Sequence, residues 1–372
     1  MNEDKAAHYH RLKRRVSMAS MAWSAALLLF LLWSGASAGL RDAAQAMSAA
    51  LDGRERPALT VVFYVVGLIA LHGIGDLALA FYSGLVLERR YGLSTQTLPA
   101  WLADQGKALA LTLVLAAAGV SLVYWTIRMA PAWWWLLSGA LFALLFVVLA
   151  NVAPVLLLPI FYTVKPLTRE SLRARLLSLA DRAGARVLGA YEWGLGAKSR
   201  KANAALAGLG STRRILVSDT MLADYSDEEI EVVLAHELAH HVHGDIWKGL
   251  ALESVLTLAG FFVAAVVIDA AAARLGVAGA ADVAGLPLLL LAAGAVSLVM
   301  LPAAHAMSRS HERSADRFAL ELTRNPSAFV SAMRRLGAQN LAEEHPSTIV
   351  QWLFYSHPPL NERIAAANAF RV

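Results

Sequence analysis

The fold class this sequence predicts is a mostly helical, polytopic membrane protein with a small α+β domain set between its spans. Three observations predict it. Of 372 residues, 58% are hydrophobic and only 16% are charged, against about 25% charged in an average soluble domain. The missing charge is concentrated in six apolar runs, each at least about as long as the 17–25 residues that a helix needs to cross a bilayer. Between the fourth and fifth runs lies a polar block, residues 165–247, in which helix-like and strand-like segments alternate.

Residues 1–15 are polar and basic, with Lys5, Arg11, Lys13, Arg14 and Arg15. The first span, about 16–33, ends in Ser34-Gly35-Ala36-Ser37-Ala38, which is built like a signal-peptide cleavage site. The run is longer than a usual signal core and more spans follow, so it reads as an uncleaved span with its basic end in the cytoplasm. Residues 41–57 read as a mixed-charge loop. The second span, about 58–87, contains His72 and Asp76, four apart and so on one helix face. Ionisable groups in a span avoid lipid; these two either line a water-filled space or knit two helices together. The third span covers about 109–127. The fourth opens on Trp133, Trp134 and Trp135, an interfacial aromatic belt, and runs to about 160.

In the polar block, SLRARLLSLADRAG reads as an amphipathic helix ended by Gly184. Three strands are expected, over 187–193, 202–209 and 213–218, then a helix from about Asp227. The fifth and sixth spans cover about 250–268, with Glu253 near its start, and 284–304. The rest is helical and soluble. The organisation that results is a membrane region over 1–164 with spans one to four, a small α+β domain over 165–248, spans five and six over 249–306, and a C-terminal helical part of the same domain over 307–372. Counted from a cytoplasmic start, six crossings return both termini and both soluble blocks to the cytoplasm. Arg89, Arg90, Lys107, Lys165, Lys198, Arg200 and Lys201 all fall there, as the positive-inside rule requires.

The net charge of +5 is therefore loop charge that orients the spans. No basic stripe with interleaved aromatics is present, so no nucleic-acid partner is expected. There is no cysteine, which excludes disulfides, thiolate metal sites and lipidation through cysteine.

The chemistry is concentrated in VVLAHELAHHVHGD, residues 232–245. His236 and His240 are one helical turn apart and can grip one metal ion from the same side. Glu237 projects beside them, placed to take a proton from a water on that metal. Ser226 followed by Asp227-Glu228-Glu229 is a strong helix start, and Ile230, Val232, Val233 and Leu234 bury one face. Two histidines leave tetrahedral zinc short of a third protein ligand. SRSHERSADRFA, residues 308–319, offers Glu312 as that ligand and, four residues on, Asp316 to accept a hydrogen bond from a ligand imidazole. His311 and His305 compete with Glu312 for the role. SHPPLNER, residues 356–363, adds His357 and Arg363, a donor and a fixed cation for negative charge developing in the reaction; the same segment also reads as a plain turn before the last helix.

HELAH, SRSHERSADRFA and SHPPLNER in that order resemble the integral-membrane zinc peptidases of the CAAX prenyl endopeptidase family. ERRYGLSTQT (88–97), KANAALAGL and RRILVSDTML resemble further segments of that family, so the likeness covers most of residues 88–363. The resemblance implies a zincin-like catalytic domain and spans that surround a chamber, which His72, Asp76 and Glu253 would line. It implies one zinc ion held by His236, His240 and Glu312, Glu237 as general base, Asp316 behind a ligand, and His357 and Arg363 at the oxyanion. Asn203 would hold the main chain of a substrate that pairs with the 202–209 edge. Six spans rather than seven, and the Ala/Leu-rich composition, point to a bacterial member in the inner membrane. The expected partners are the bilayer and a peptide or protein substrate, lipidated or membrane-embedded substrates included. A stress-type membrane quality-control protease and a non-proteolytic membrane chamber are the alternatives.

Overall fold

The computed structural model describes residues 3–51, 53–208 and 212–371. Leu209, the last residue of one expected strand, lies outside them. Among the described residues, six helices are long and apolar enough to cross a membrane: Lys5–Trp33, Pro57–Arg90, Leu98–Met129, Trp134–Val152, Asp245–Leu275 and Val283–Thr323. Each overlaps an apolar run expected to span.

Helix α1 covers Glu3–Trp33 and α2 covers Ala36–Ala50. Between them the chain reverses at Gly35, whose φ of 74° favours a residue without Cβ. The expected loop over 41–57 is thus helical as far as Ala50. Its sequence, RDAAQAMSAA, is rich in the best helix former, which outweighs its two charges. Fifteen residues rise only about 22 Å, too short to cross. α2 is anchored instead: Ser37 Oγ donates to the Ala284 carbonyl at 2.6 Å, and Arg41 pairs with Asp282 at 2.8 Å.

Helix α3 (Pro57–Arg90) contains one π turn, Tyr82–Val86. His72 and Asp76 face α1. Ser24 Oγ lies 2.8 Å from His72 Nε2, and Ser20 Oγ donates to Asp76 Oδ1 at 2.6 Å. The pair knits two helices, and Gly75 makes that approach possible, since a Cβ there would fall 2.4 Å from the Trp23 ring. Helices α4 (Leu98–Met129) and α5 (Trp134–Val152) complete the first group. Tyr64, Tyr124, Trp134, Phe261 and Leu286 share one buried apolar cluster that ties these spans to the last two.

The polar block holds a four-stranded sheet in the order β1-β2-β4-β3, with β1 Val164–Pro166, β2 Ala190–Trp193, β3 Ala204–Ala207 and β4 Arg214–Ser218. β2 and β4 run parallel; β1 and β3 pair antiparallel at the two edges. β1 was not expected: three residues ending in proline carry no strand signal, and proline is tolerated only at such an edge. Helices α6 (Glu170–Arg182), α7 (Asp219–Asp224) and α8 (Asp227–Val242) complete the block. After α9 (Asp245–Ala271) comes α10, Leu286–Thr323, a single helix of 38 residues with Pro302 inside it. One continuous helix therefore carries both the sixth span and Glu312. Helices α11 (Pro326–Gln339), α12 (Thr348–Phe354) and α13 (Leu360–Ala369) close the chain. Leu172, Leu176, Ile215, Ile230, Leu234, Phe329 and Met333 lie in one core. Segments before and after the last two spans thus fold as one unit.

Candidate metal centre

The site begins with α8. Ser226 caps it through a reciprocal capping box: Glu229 N–H donates to Ser226 Oγ at 3.2 Å, and Ser226 N–H donates to Glu229 Oε2 at 2.9 Å. Ile230, Leu234 and Leu238 are fully buried, which fixes the rotation of the helix and turns His236 and His240 the other way. α10 crosses beside it and presents Glu312 to both imidazoles.

The distances are specific. His236 Nε2 and His240 Nε2 are 3.3 Å apart, His236 Nε2 is 3.3 Å from Glu312 Oε2, and His240 Nε2 is 3.3 Å from Glu312 Oε1. Tetrahedral ligands held at about 2.0–2.1 Å from zinc are separated by about 3.3 Å. Among the described residues these three form the group able to hold a metal ion. Glu312 is only 5% exposed, and its Oε2 accepts no hydrogen bond of good geometry, although His357 Nδ1 is 2.8 Å away. Close approach without hydrogen-bond direction is the arrangement of atoms turned toward a common centre. The donor set fits a divalent cation.

Each imidazole is held from behind. His236 Nδ1 lies 2.9 Å from Asp316 Oδ1, and His240 Nδ1 lies 3.0 Å from Asp245 Oδ2. Burial by itself would lower the pKa of His236; the carboxylates of Asp316 and Glu312 beside the ring outweigh this and lift it to about 9. His240 is raised too, against burial, chiefly by Glu312. Both shifts say that the carboxylates around the rings favour positive charge between them. Burial pushes the Glu237 carboxyl up, against the opposing pull of both histidines. Glu237 is half-buried and, among the described residues, makes no hydrogen bond or ion pair, so its carboxylate is free to work.

Arg363 donates to Asp316 through Nη2 at 2.5 Å and Nε at 2.8 Å. It therefore clamps the carboxylate behind His236. His357 is exposed and contacts Glu312. Two carbonyls that precede it, of Gln351 and Tyr355, accept from the buried Arg309 at 3.1 and 2.6 Å. Asn203 is exposed at the start of β3, which packs along α8. His311 lies 3.8 Å from Asp245 and outside the three-ligand group, as does His305. Two residues escaped the sequence reading. Asp245 follows His240 by five positions, and the left-handed Gly244 (φ 68°) that swings it back is visible only as the GD after the histidines. Arg309 carried no signal beyond a basic residue near the membrane.

Residues 166–371 match peptidase family M48, and residues 2–163 match the family described as CAAX prenyl protease N-terminal, five membrane helices. The chain is 32% identical to the uncharacterized metalloprotease YhfN of Bacillus subtilis over 76% of its length and 68% of that protein's. It is 25% identical to a CAAX prenyl protease 1 homolog of Arabidopsis thaliana over 84% of its length and 74% of that protein's. The crystal structure of S. mikatae Ste24p superimposes with a TM-score of 0.86, covering 98% of this chain and 88% of the other at 23% identity, a likeness of fold. Three residues able to hold a metal ion, two on a motif helix and one on the last span's helix, inside a fold of multiple membrane spans, agree with these matches, and the chain belongs to peptidase family M48 as an integral-membrane metalloendopeptidase.

Proposed function

We propose that the chain is a one-zinc endopeptidase that cuts peptide bonds beside the cytoplasmic face of a bacterial inner membrane, with His236, His240 and Glu312 as the metal ligands. The observation that carries this reading is the 3.3 Å triangle of ligand atoms from two separate helices, each imidazole backed by its own carboxylate. Zinc, when bound, supplies a Lewis acid that polarises the scissile carbonyl and acidifies water. Glu237, unpaired and half-buried, takes the proton from the attacking water and returns it to the leaving amine. His357 donates to the oxyanion from the open side of Glu312, and Arg363 adds fixed positive charge while it holds Asp316. Asp316 and Asp245 keep the ligand rings in one tautomer and orientation. Asn203, whose side chain makes no hydrogen bond among the described residues, holds the substrate main chain beside β3.

The cytoplasmic orientation is supported by the basic residues that gather around the site's side of the spans, Arg89, Lys107, Lys198 and Lys201 among them. The names of the relatives point to prenylated substrates; lipidated and membrane-embedded peptides are the proposed class, and the bilayer is the proposed setting. The test compares one peptide with and without a prenyl group, with cut sites read by mass spectrometry and a chelator control. Glu237→Gln should keep zinc and lose at least about a hundredfold in kcat. Undiminished turnover by that variant would rule out the assigned base.

A further inference from the structure

Among the described residues, the outward edge of β3 is covered by the protein's own chain up to Ala202 and open beyond it. In the antiparallel pair of β3 and β4, Ala205 faces Leu216 and Ala207 faces Arg214. Ser218 N–H donates to the Asn203 carbonyl at 2.9 Å, and Asn203 N–H donates to Ser218 Oγ at 3.0 Å. Odd-numbered residues thus bond inward to β4. By the alternation of such a ladder, the N–H and C=O of Ala202, Ala204 and Leu206 point away from the sheet. Those of Ala202 are both taken: its N–H donates to Asn340 Oδ1 at 3.0 Å, and Asn340 Nδ2 donates to its carbonyl at 3.1 Å. One asparagine amide fills the place where a fifth strand would bond. Upstream, Gln339 Nε2 donates to the Arg200 carbonyl at 2.8 Å, and Arg200 N–H donates to the Leu93 carbonyl at 2.8 Å. Among the described residues, Ala204 and Leu206 have no partner on that side.

We infer that Asn340 is an end-stop for the substrate strand and sets how far a bound peptide can extend along the enzyme in one direction. The inference rests on the reading of β3 as the substrate edge. An extended peptide added there exchanges main-chain bonds with Ala204 and Leu206 and meets Asn340 at Ala202. Strand periodicity is two, so removing the stop opens one further outward pair and lengthens the acceptable strand by two residues. Asn340 acts on substrate register, not on the reacting atoms.

The probe is a peptide that the full-length protein in detergent micelles cuts, lengthened by one alanine at a time from either end. In the wild type, kcat/KM should fall by roughly tenfold at one fixed length on one side only, the worth of about two main-chain hydrogen bonds. In Asn340→Ala that step should move outward by two residues. Gln339→Ala, which leaves Ala202 covered, should keep the step in its wild-type place. Leu206→Pro tests the underlying reading separately. It removes an outward N–H without breaking a bond inside the sheet, and should raise KM for every peptide. A step that stays put in Asn340→Ala, with KM raised in Leu206→Pro, overturns the end-stop alone. Unchanged KM in Leu206→Pro overturns the edge and the end-stop together.

Discussion

Replacing Asp316 with asparagine tests whether the carboxylates behind the histidines hold the metal site together. Three donors converge on Asp316. His236 Nδ1 at 2.9 Å and Arg363 Nη2 at 2.5 Å share Oδ1, while Arg363 Nε meets Oδ2 at 2.8 Å. A carboxylate accepts all three. A carboxamide of the same shape has one oxygen and one NH2, so whichever way it is turned, at least one donor faces another donor. The guanidinium, half-buried beside the site, also loses its counter-charge. Breaking such a pair from one side costs about 3–5 kcal/mol, and the lower end applies because the amide keeps part of the hydrogen bonding. Loss of a carboxylate behind a ligand histidine typically weakens metal binding about 10–100-fold. Asp316→Asn should therefore lose about 3 kcal/mol of stability and bind zinc at least about tenfold more weakly. Chelator competition and denaturant titration in detergent measure the two separately. Asp245→Asn is the internal comparison. Its other partner, Lys248, is half exposed at 2.9 Å, so metal affinity should fall in the same range with little change in stability. Zinc affinity within about threefold of wild type in both variants would refute the reasoning that these carboxylates fix the ligand rings.

Ser226→Ala removes the cap of the motif helix and half of its capping box, and should cost about 1 kcal/mol in denaturant titration without displacing the zinc. Arg309→Met keeps the stem but removes both bonds to the carbonyls before His357; kcat should drop while metal content stays at the wild-type level, measured by metal analysis beside peptide turnover.

Much of this protein was legible in its sequence because the signals are local. A run of twenty apolar residues in water-free surroundings has only the helix open to it, so six spans followed from composition. Two histidines at i and i+4 share a helix face whatever the rest of the chain does, and the Ser226 cap marked where that helix begins. The segment expected as a loop over 41–57 is helical to Ala50 because alanine's helix propensity outweighs its two charges, and β1 exists only through its partner strand.

The residue types offered to a metal and the six helices long and apolar enough to cross a membrane were legible in the sequence alone, through periodicities of 3.6 residues and the thickness of a bilayer. The tertiary structure decided which groups meet: Glu312 against both imidazoles across some seventy intervening residues, Arg363 on Asp316, Asp245 behind His240, and Asn340 on the edge of β3. The reason is physical. Such contacts depend on how helices are rotated and packed by their buried faces, and no spacing along a chain records the angle at which two helices cross.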